Sequence, residues 1–527
     1  MSTTKKGGFH LSAGAWILGL MVGLNACTSP ESALSPDATK HSSARESATE
    51  LSFFVLTDDN RLNKKTVSNP MANLSDTKIT GLKENEKILA IDFRPATGQL
   101  YGLGSTSRVY VINQETGVAR SMTVDPFSPA IAEGASVAFD FNPTVDLIRV
   151  VTSTGQNLRL NPNTGLLQTG GQDGNINGGT NPAITAVAYT NSKGVSSSTV
   201  LYDIDPVSDR LYSQIPPNNG TLVNVGPLGK DITGSAGFDI SSDNSYALLA
   251  YWVGGKAELG NVNLTSGSIQ KLGDLGSKNY IGLAIPTDAV AYAVSGNDLL
   301  IFDPFDIRPV QRIITGLQPG ETIRGIDMRP ATGQLYALGN SSRIYTISYP
   351  AGTNNAQLTV VGSGAFTPTL TGSDYGFDFN PTVDRIRVIS NSGQNLRINP
   401  MTGDVLVDKP LNYGPTAVDR PSVRAAAYSN NVQGATTTVL YDLDDFSNRL
   451  YRQIPPNDGT LVGGSPLGID ITATNGFDIG GRSDKAYALL TSGSSTNLYT
   501  INLNNGALTN LGTFPTTVRG FAIGLGF

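Results

Sequence analysis

Carboxylates and arginines carry nearly all the titratable chemistry of this 527-residue chain. Its two histidines, His10 and His41, and its single cysteine, Cys27, precede Leu51, where sequence able to build a core begins. Beyond Leu51 there is therefore no imidazole and no thiol. That excludes Ser-His-Asp triads, cysteine nucleophiles and zinc sites with N or S ligands from the folded region. Carboxylate chemistry remains, or a hard cation held by oxygen atoms. A formal net charge of −6, with no basic run interleaved with aromatics, argues against nucleic acid as a partner.

Within that limit, four groups of residues have types and spacing worth weighing. In VAFDFNP and YGFDFNP, strand alternation puts Phe139 and Phe141 on one face and Asp140 and Asn142 on the other, repeated as Phe377/Phe379 against Asp378/Asn380. Arg149 and Arg159 follow on the next two strands and recur as Arg387 and Arg397. Such a cluster suits an anionic or hydroxylated ligand near an axis; alternatively, the acids and arginines pair with each other inside a blade as a satisfied network. The segments QIPPNNGTLV and QIPPNDGTLV present Gln214, Asn218, Gln453 and Asn457 on loops stiffened by Pro-Pro, either for a ligand or simply as hairpins. Asp203, Asp205 and Asp209, with Asp442, Asp444 and Asp445 in the second copy, resemble calcium ligands. Their spacing lacks the glycine and closing glutamate of a helix–loop–helix calcium loop, and Asp209 becomes Asn448. Asp140 with Asp239 or Asp92 could supply the two acids of a glycoside hydrolase. Glutamates, however, are sparse in the repeats, there is no sialidase-type Asp box, and Trp252 is the only indole after Leu51. No catalytic residue, metal ligand or cofactor is assigned on this basis.

The elements that must position these residues are repeats. Phe139–Gly165 returns at Phe377–Gly403 with 20 of 27 positions identical, so the chain is a duplication. Within each half, an inner-strand pattern recurs five times: LAIDFRP, VAFDFNP, AVAYTN, GFDIS and IGLAIP, then RGIDMRP, YGFDFNP, AAAYSN, GFDIG and RGFAIG. Each unit holds about four strand-like segments separated by Asn-Gly, Asp-Gly and Thr-Gly turns, the pattern of β-propeller blades. FFVLT and AYAVSGNDLLIF look like later strands of blades whose first strand is missing, and IGLAIP and RGFAIG like first strands without partners. Joining them closes each half into its own ring. The expected fold is all-β: two tandem five-bladed propellers over residues 51–286 and 287–527, with one ten-bladed ring as the alternative.

FDFNPTVDRIRV, SGQNLRINP, AAAYSNN, TTTVLYDLD, QIPPNDGTLV and the GFDI–AYALL–LYTINLNNGAL run resemble the bacterial family known as domain of unknown function 4394, in two tandem copies covering nearly everything from Leu51 to Phe527. The resemblance implies an extracytoplasmic propeller-like domain and assigns no activity or site residues. Ahead of it, Lys5 and Lys6 precede the apolar run Ala13–Leu24 and the sequence Leu24-Asn25-Ala26-Cys27, too short to span a bilayer and suited to a secretory signal. LNAC resembles a bacterial lipobox, which predicts a signal peptide over residues 1–26, acylation of Cys27, and a disordered tether over residues 27–50. Thr28, rather than Asp, after the cysteine implies the outer membrane by resemblance to the sorting rule of diderm bacteria. The expectation is thus a lipid-anchored cell-envelope propeller: a non-catalytic binding or interaction module held to the membrane, with an unknown ligand or protein partner. A carboxylate-dependent glycan hydrolase is the alternative, and a purely structural surface protein a third.

Overall fold

A computed structural model describes residues 50–194 and 196–527. Cys27, the signal segment and most of the tether lie outside the described residues. Among those described, the only helical elements are two three-residue 3-10 turns, Pro217–Asn219 and Pro456–Asp458. The rest of the regular structure is strand, and among the described residues no helix is long and apolar enough to cross a membrane.

Short apolar bursts form strands because turn residues cut them off at fixed points. In both copies of NPTVD, Asn142 and Asn380 accept hydrogen bonds from the backbone N–H of Thr144 and Thr382, each 2.9 Å long. Asp146 and Asp384 then take φ values of 53° and 50°, a left-handed conformation that short polar side chains tolerate. The chain is thereby turned into Leu147–Thr152 or Arg385–Ser390 at a fixed register.

Two five-bladed propellers result. In the first ring, the inner strands of blades 1 to 5 are Tyr280–Ala284, Ile88–Phe93, Val137–Asn142, Ala186–Tyr189 and Gly234–Ile240. In the second, blades 6 to 10 open on Arg519–Ile523, Ile323–Met328, Tyr375–Asn380, Val423–Tyr428 and Ala473–Ile479. Each inner strand lies beside the next around its ring, and blade 5 returns to blade 1 and blade 10 to blade 6. Closure is by hydrogen bonding of a late strand to an early pair: Phe54 pairs with Ala284 in the first ring, and Ala291 with Ile523 in the second. The strands Tyr280–Ala284 and Ala291–Ser295 therefore do not pair with each other, and the ten-bladed alternative is not adopted. One feature departs from ten separate antiparallel sheets. The outermost strands of blades 6 and 7, Asp306–Thr315 and Asn355–Val360, pair in parallel and merge the two blades into one eight-stranded sheet.

The core is a series of layers between blades rather than one centre, as expected where no blade can bury both faces alone. Tyr101 and Leu103 of blade 2 pack on Phe139, Phe141 and Val150 of blade 3, and Tyr101 meets Phe141 edge-on at 5.1 Å. Tyr336 and Phe379 repeat that contact at 5.1 Å in the second ring. Five blades leave little room at the axis: a Cβ on Gly325 would come within 2.6 Å of the Phe377 Cβ on the next inner strand.

The rings also pack on each other, chiefly through loops that follow the C-terminal ends of the inner strands. Arg94, Tyr292, Asn163 and Arg312 donate across the contact to Thr332 O, Ala96 O, Gln334 Oε1 and Thr144 O at 3.3, 2.9, 2.6 and 3.0 Å. The backbone N–H of Gly526 donates to Thr97 O at 2.8 Å.

Candidate functional site

Each ring gathers three carboxylates on its axis. Asp92, Asp140 and Asp239 bring oxygen atoms within 4.8 Å of one another, and so do Asp327, Asp378 and Asp478. None of the six is more than 3% exposed. What holds them there is the ring itself, because each acid accepts a backbone N–H from the next inner strand. Asp92 accepts from Phe141 at 2.9 Å, Asp140 from Tyr189 at 3.1 Å and Asp239 from Ile285 at 2.6 Å. Asp327, Asp378 and Asp478 accept from Phe379, Tyr428 and Ile523 at 2.7, 2.9 and 2.6 Å. Asp92, Asp239, Asp327 and Asp478 also cap the N–H of the residue that follows each of them.

These bonds favour ionisation, but burial and mutual repulsion outweigh them. Burial first, and then the charge of neighbouring acids, raises Asp92, Asp140, Asp327 and Asp378 well above the usual carboxylate range. Burial pushes Asp239 and Asp478 up to about 7. Protons are therefore retained within each triad at neutral pH. The donor sets fit a cation poorly, since four of the six acids already commit both oxygens to backbone N–H groups. They suit a glycosidase no better, since no acid faces an open cleft.

The arginines assemble elsewhere. Register places Arg149 directly opposite Asp140, yet the expected in-blade pair does not form, because Asp140 turns to the axis and the Tyr189 backbone. The buried Arg149 guanidinium instead donates to Asp173 at 2.6 Å, Asn157 at 2.8 Å, the Tyr189 hydroxyl at 3.2 Å and Asn218 at 2.7 Å. Arg159 grips the same Asp173 with two bonds of 2.8 and 2.7 Å. The second ring repeats the arrangement with Arg387 on Asp408, Asn395, Tyr428 and Asn457, and Arg397 on Asp408. Gln214 and Gln453 are fully buried and donate to Pro217 O and Pro456 O within their own loops. Arg149, Arg159, Gln214 and Asn218 thus form one clamp between blades 3 and 4, and Arg387, Arg397, Gln453 and Asn457 its copy between blades 8 and 9. Asn142 and Asn380 act as turn caps, accepting from Thr144 and Thr382.

The aspartates weighed for calcium do not converge either; among the described residues, only the axial triads bring three acids so close. Asp205 caps Val207 N and Ser208 Oγ, and Asp209 accepts from Ile232 N. Asp444 accepts from Phe446 N and Asp445 pairs with Arg424. Asp203 and Asp442 are fully buried, and burial raises both well above the usual range, against the pull of Arg149 and Arg387.

Open space that polar groups line occurs at a place the sequence reading missed, the mouth of the second ring at the N-terminal ends of its inner strands. A cavity of about 160 Å³ is lined there by Arg324, Arg424, Arg519, Tyr375, Thr474 and Asn475. A second depression of about 460 Å³ adjoins it and shares Arg324, Thr517 and Arg519. Arg324 and Arg424 are carried at register shifts between Ile323 and Gly325 and between Val423 and Ala425. Such bulges re-aim a side chain. Arg424 is compensated by Asp374 at 3.3 Å and Asp445 at 2.5 Å. Among the described residues, no carboxylate lies within ion-pair distance of Arg324 or Arg519, and the Arg324 Nε is buried without an acceptor. The loops that touch the first ring follow the opposite ends of the inner strands, so this mouth faces away from the contact between the rings.

The sequence pattern of the family described as Domain of unknown function (DUF4394) matches residues 61–284 and 298–522, one copy per ring. No curated protein matches the chain. Among solved structures it is similar to a protein from Lactobacillus plantarum, at 14% identity over 64% of this chain and 98% of that one, with a TM-score of 0.28. It is also similar to PorZ, described as a surface component of the type-IX secretion system of Porphyromonas gingivalis, at 10% identity over 88% of this chain and 60% of that one, with a TM-score of 0.23. The propeller assignment rests on the strand pairing itself.

Proposed function

We propose, for a chain that belongs to the Domain of unknown function (DUF4394) family and carries two copies of that domain, a non-catalytic binding module of the cell envelope. It is tethered by acylated Cys27 to the outer membrane and takes its ligand at the mouth of the second ring. The observation that carries this reading is a contrast in access. The axial acids, the groups best suited to hydrolysis, are enclosed and each is held by a backbone N–H of a neighbouring blade, whereas the mouth combines open volume with two guanidiniums, Arg324 and Arg519, that have no carboxylate within ion-pair distance among the described residues. That combination is the usual anatomy of a small-molecule site.

Hydrogen exchange on the full chain, against a library of small saccharides, amino acids and organic acids, tests the site. Protection at the backbone N–H groups of Gly325, Gly376 and Gly520, with no product released, is the expected outcome. Product release that disappears in Asp378→Asn would replace this reading with the glycan hydrolase. Labelled palmitate tests the anchor: incorporation should be lost in Cys27→Ser, and incorporation that persists would remove it.

A further inference from the structure

The two mouths are built on one backbone and differ in charge. Aligning RGIDM with LAIDF, VRAAAY with ITAVAY and RGFAI with IGLAI places Leu89, Thr185 and Ile281 of the first ring where the second has Arg324, Arg424 and Arg519. The bulge that carries Arg324 is also present in the first ring, between Ile88 and Ala90. Backbone geometry therefore does not require arginine at these positions. Arg424 shares its charge with Asp374 and Asp445, but among the described residues Arg324 and Arg519 have no carboxylate within ion-pair distance, and a buried N–H without an acceptor, as at Arg324 Nε, costs free energy. Each guanidinium also has a fork shaped for a carboxylate or phosphate.

We infer that the mouth of the second ring binds a small molecule tipped with an oxyanion, its carboxylate or phosphate group lying between Arg324, Arg424 and Arg519. This rests on the proposal that the mouth is a ligand site and adds the ligand's chemical class. The cavity of about 160 Å³ is equivalent to roughly five waters at the volume each occupies in the liquid, which suits one head group rather than a polymer. The adjoining depression of about 460 Å³ takes the remainder of the molecule. Tyr375 lines the same cavity.

Isothermal titration of the full chain with inorganic phosphate, glucuronate and neutral methyl glucoside tests the inference. The variant is Arg324→Leu with Arg519→Ile, which copies the first ring's residues and so keeps a side-chain set the fold already accommodates. Lys193→Gln, an exposed cation of the first ring, serves as the control. One or both anions should bind, at least tenfold more weakly to the double variant and unchanged in Lys193→Gln. Competition between the two anions identifies a shared head-group site, and binding of only one identifies the head group. Absence of anion binding at millimolar concentration, or binding indifferent to the double variant, overturns the inference. Methyl glucoside binding that survives the double variant while protecting Gly325 and Gly520 would remove the anion and leave the mouth as a ligand site.

Discussion

The two rings share their internal scaffold and differ at their surfaces. The Arg149 and Arg387 clamps match partner for partner, and the axial triads match acid for acid. Arg94 and Arg329 do not. Both grip an aspartate with two bonds, Asp146 and Asp384, but the second ring covers the first pair. The Arg94 and Asp146 side chains are 2% and 11% exposed, against 12% and 38% for Arg329 and Asp384. The mouths differ as well, three arginines against Leu, Thr and Ile. Duplication has thus kept what holds a blade to its neighbour and changed what each ring shows to its surroundings.

The largest effect should come from the clamp and should be the same in both rings. Arg149→Ala and Arg387→Ala each remove one of the two guanidiniums on a buried carboxylate and leave the other acceptors of that guanidinium without their donor, and breaking such a buried network costs about 3–5 kcal/mol. Chemical denaturation should show comparable losses; a loss confined to one variant would break the internal equivalence. A similar substitution at the second pair should split the rings. Arg94→Ala should cost about 3 kcal/mol as a covered pair, and Arg329→Ala about 1 kcal/mol as a more exposed one. Equal costs would mean that the contact between the rings contributes nothing to Arg94.

The smallest effect concerns pH. Asp239 and Asp478, pushed up from 3.8 to about 7, keep a proton in the folded chain that the unfolded chain releases near its ordinary value. Their stabilisation is complete below about pH 4 and is lost as pH rises through 7. Melting temperature should therefore fall between pH 5 and pH 8. Asp378→Asn keeps the acceptor for Tyr428 N while removing a carboxyl that holds its proton in the folded chain, so it should flatten that slope by about 1 kcal/mol per pH unit. A slope left unchanged would show that the triad does not titrate in this range.

Blades and ring closure were legible because their signals are local. FDFNPTVD carries its own turn, and the unpartnered strands at the ends of each half state where closure must occur. The clamp was half legible. Arg149, Arg159, Gln214 and Asn218 were singled out, but Asp173 lies on an irregular outer segment and its counterpart Asp408 sits among different neighbours. Nothing in strand alternation shows that Asp140 turns to the axis while Arg149 turns to the next blade. The arginines of the mouth escaped because matching the repeats treats divergent positions as noise. A signal was present: Leu89, Thr185 and Ile281 all become arginine at the start of an inner strand.

The parallel pairing of Asp306–Thr315 with Asn355–Val360 has a mechanical consequence for the second ring. Blades 6 and 7 meet at the axis and are also riveted along the outer rim, so they cannot splay like the petals on either side. The larger depression at the mouth lies between these two blades, flanked by Ser295 on one and Thr322 on the other. Its walls are therefore set by a single sheet, and any breathing of the ring must begin at another seam.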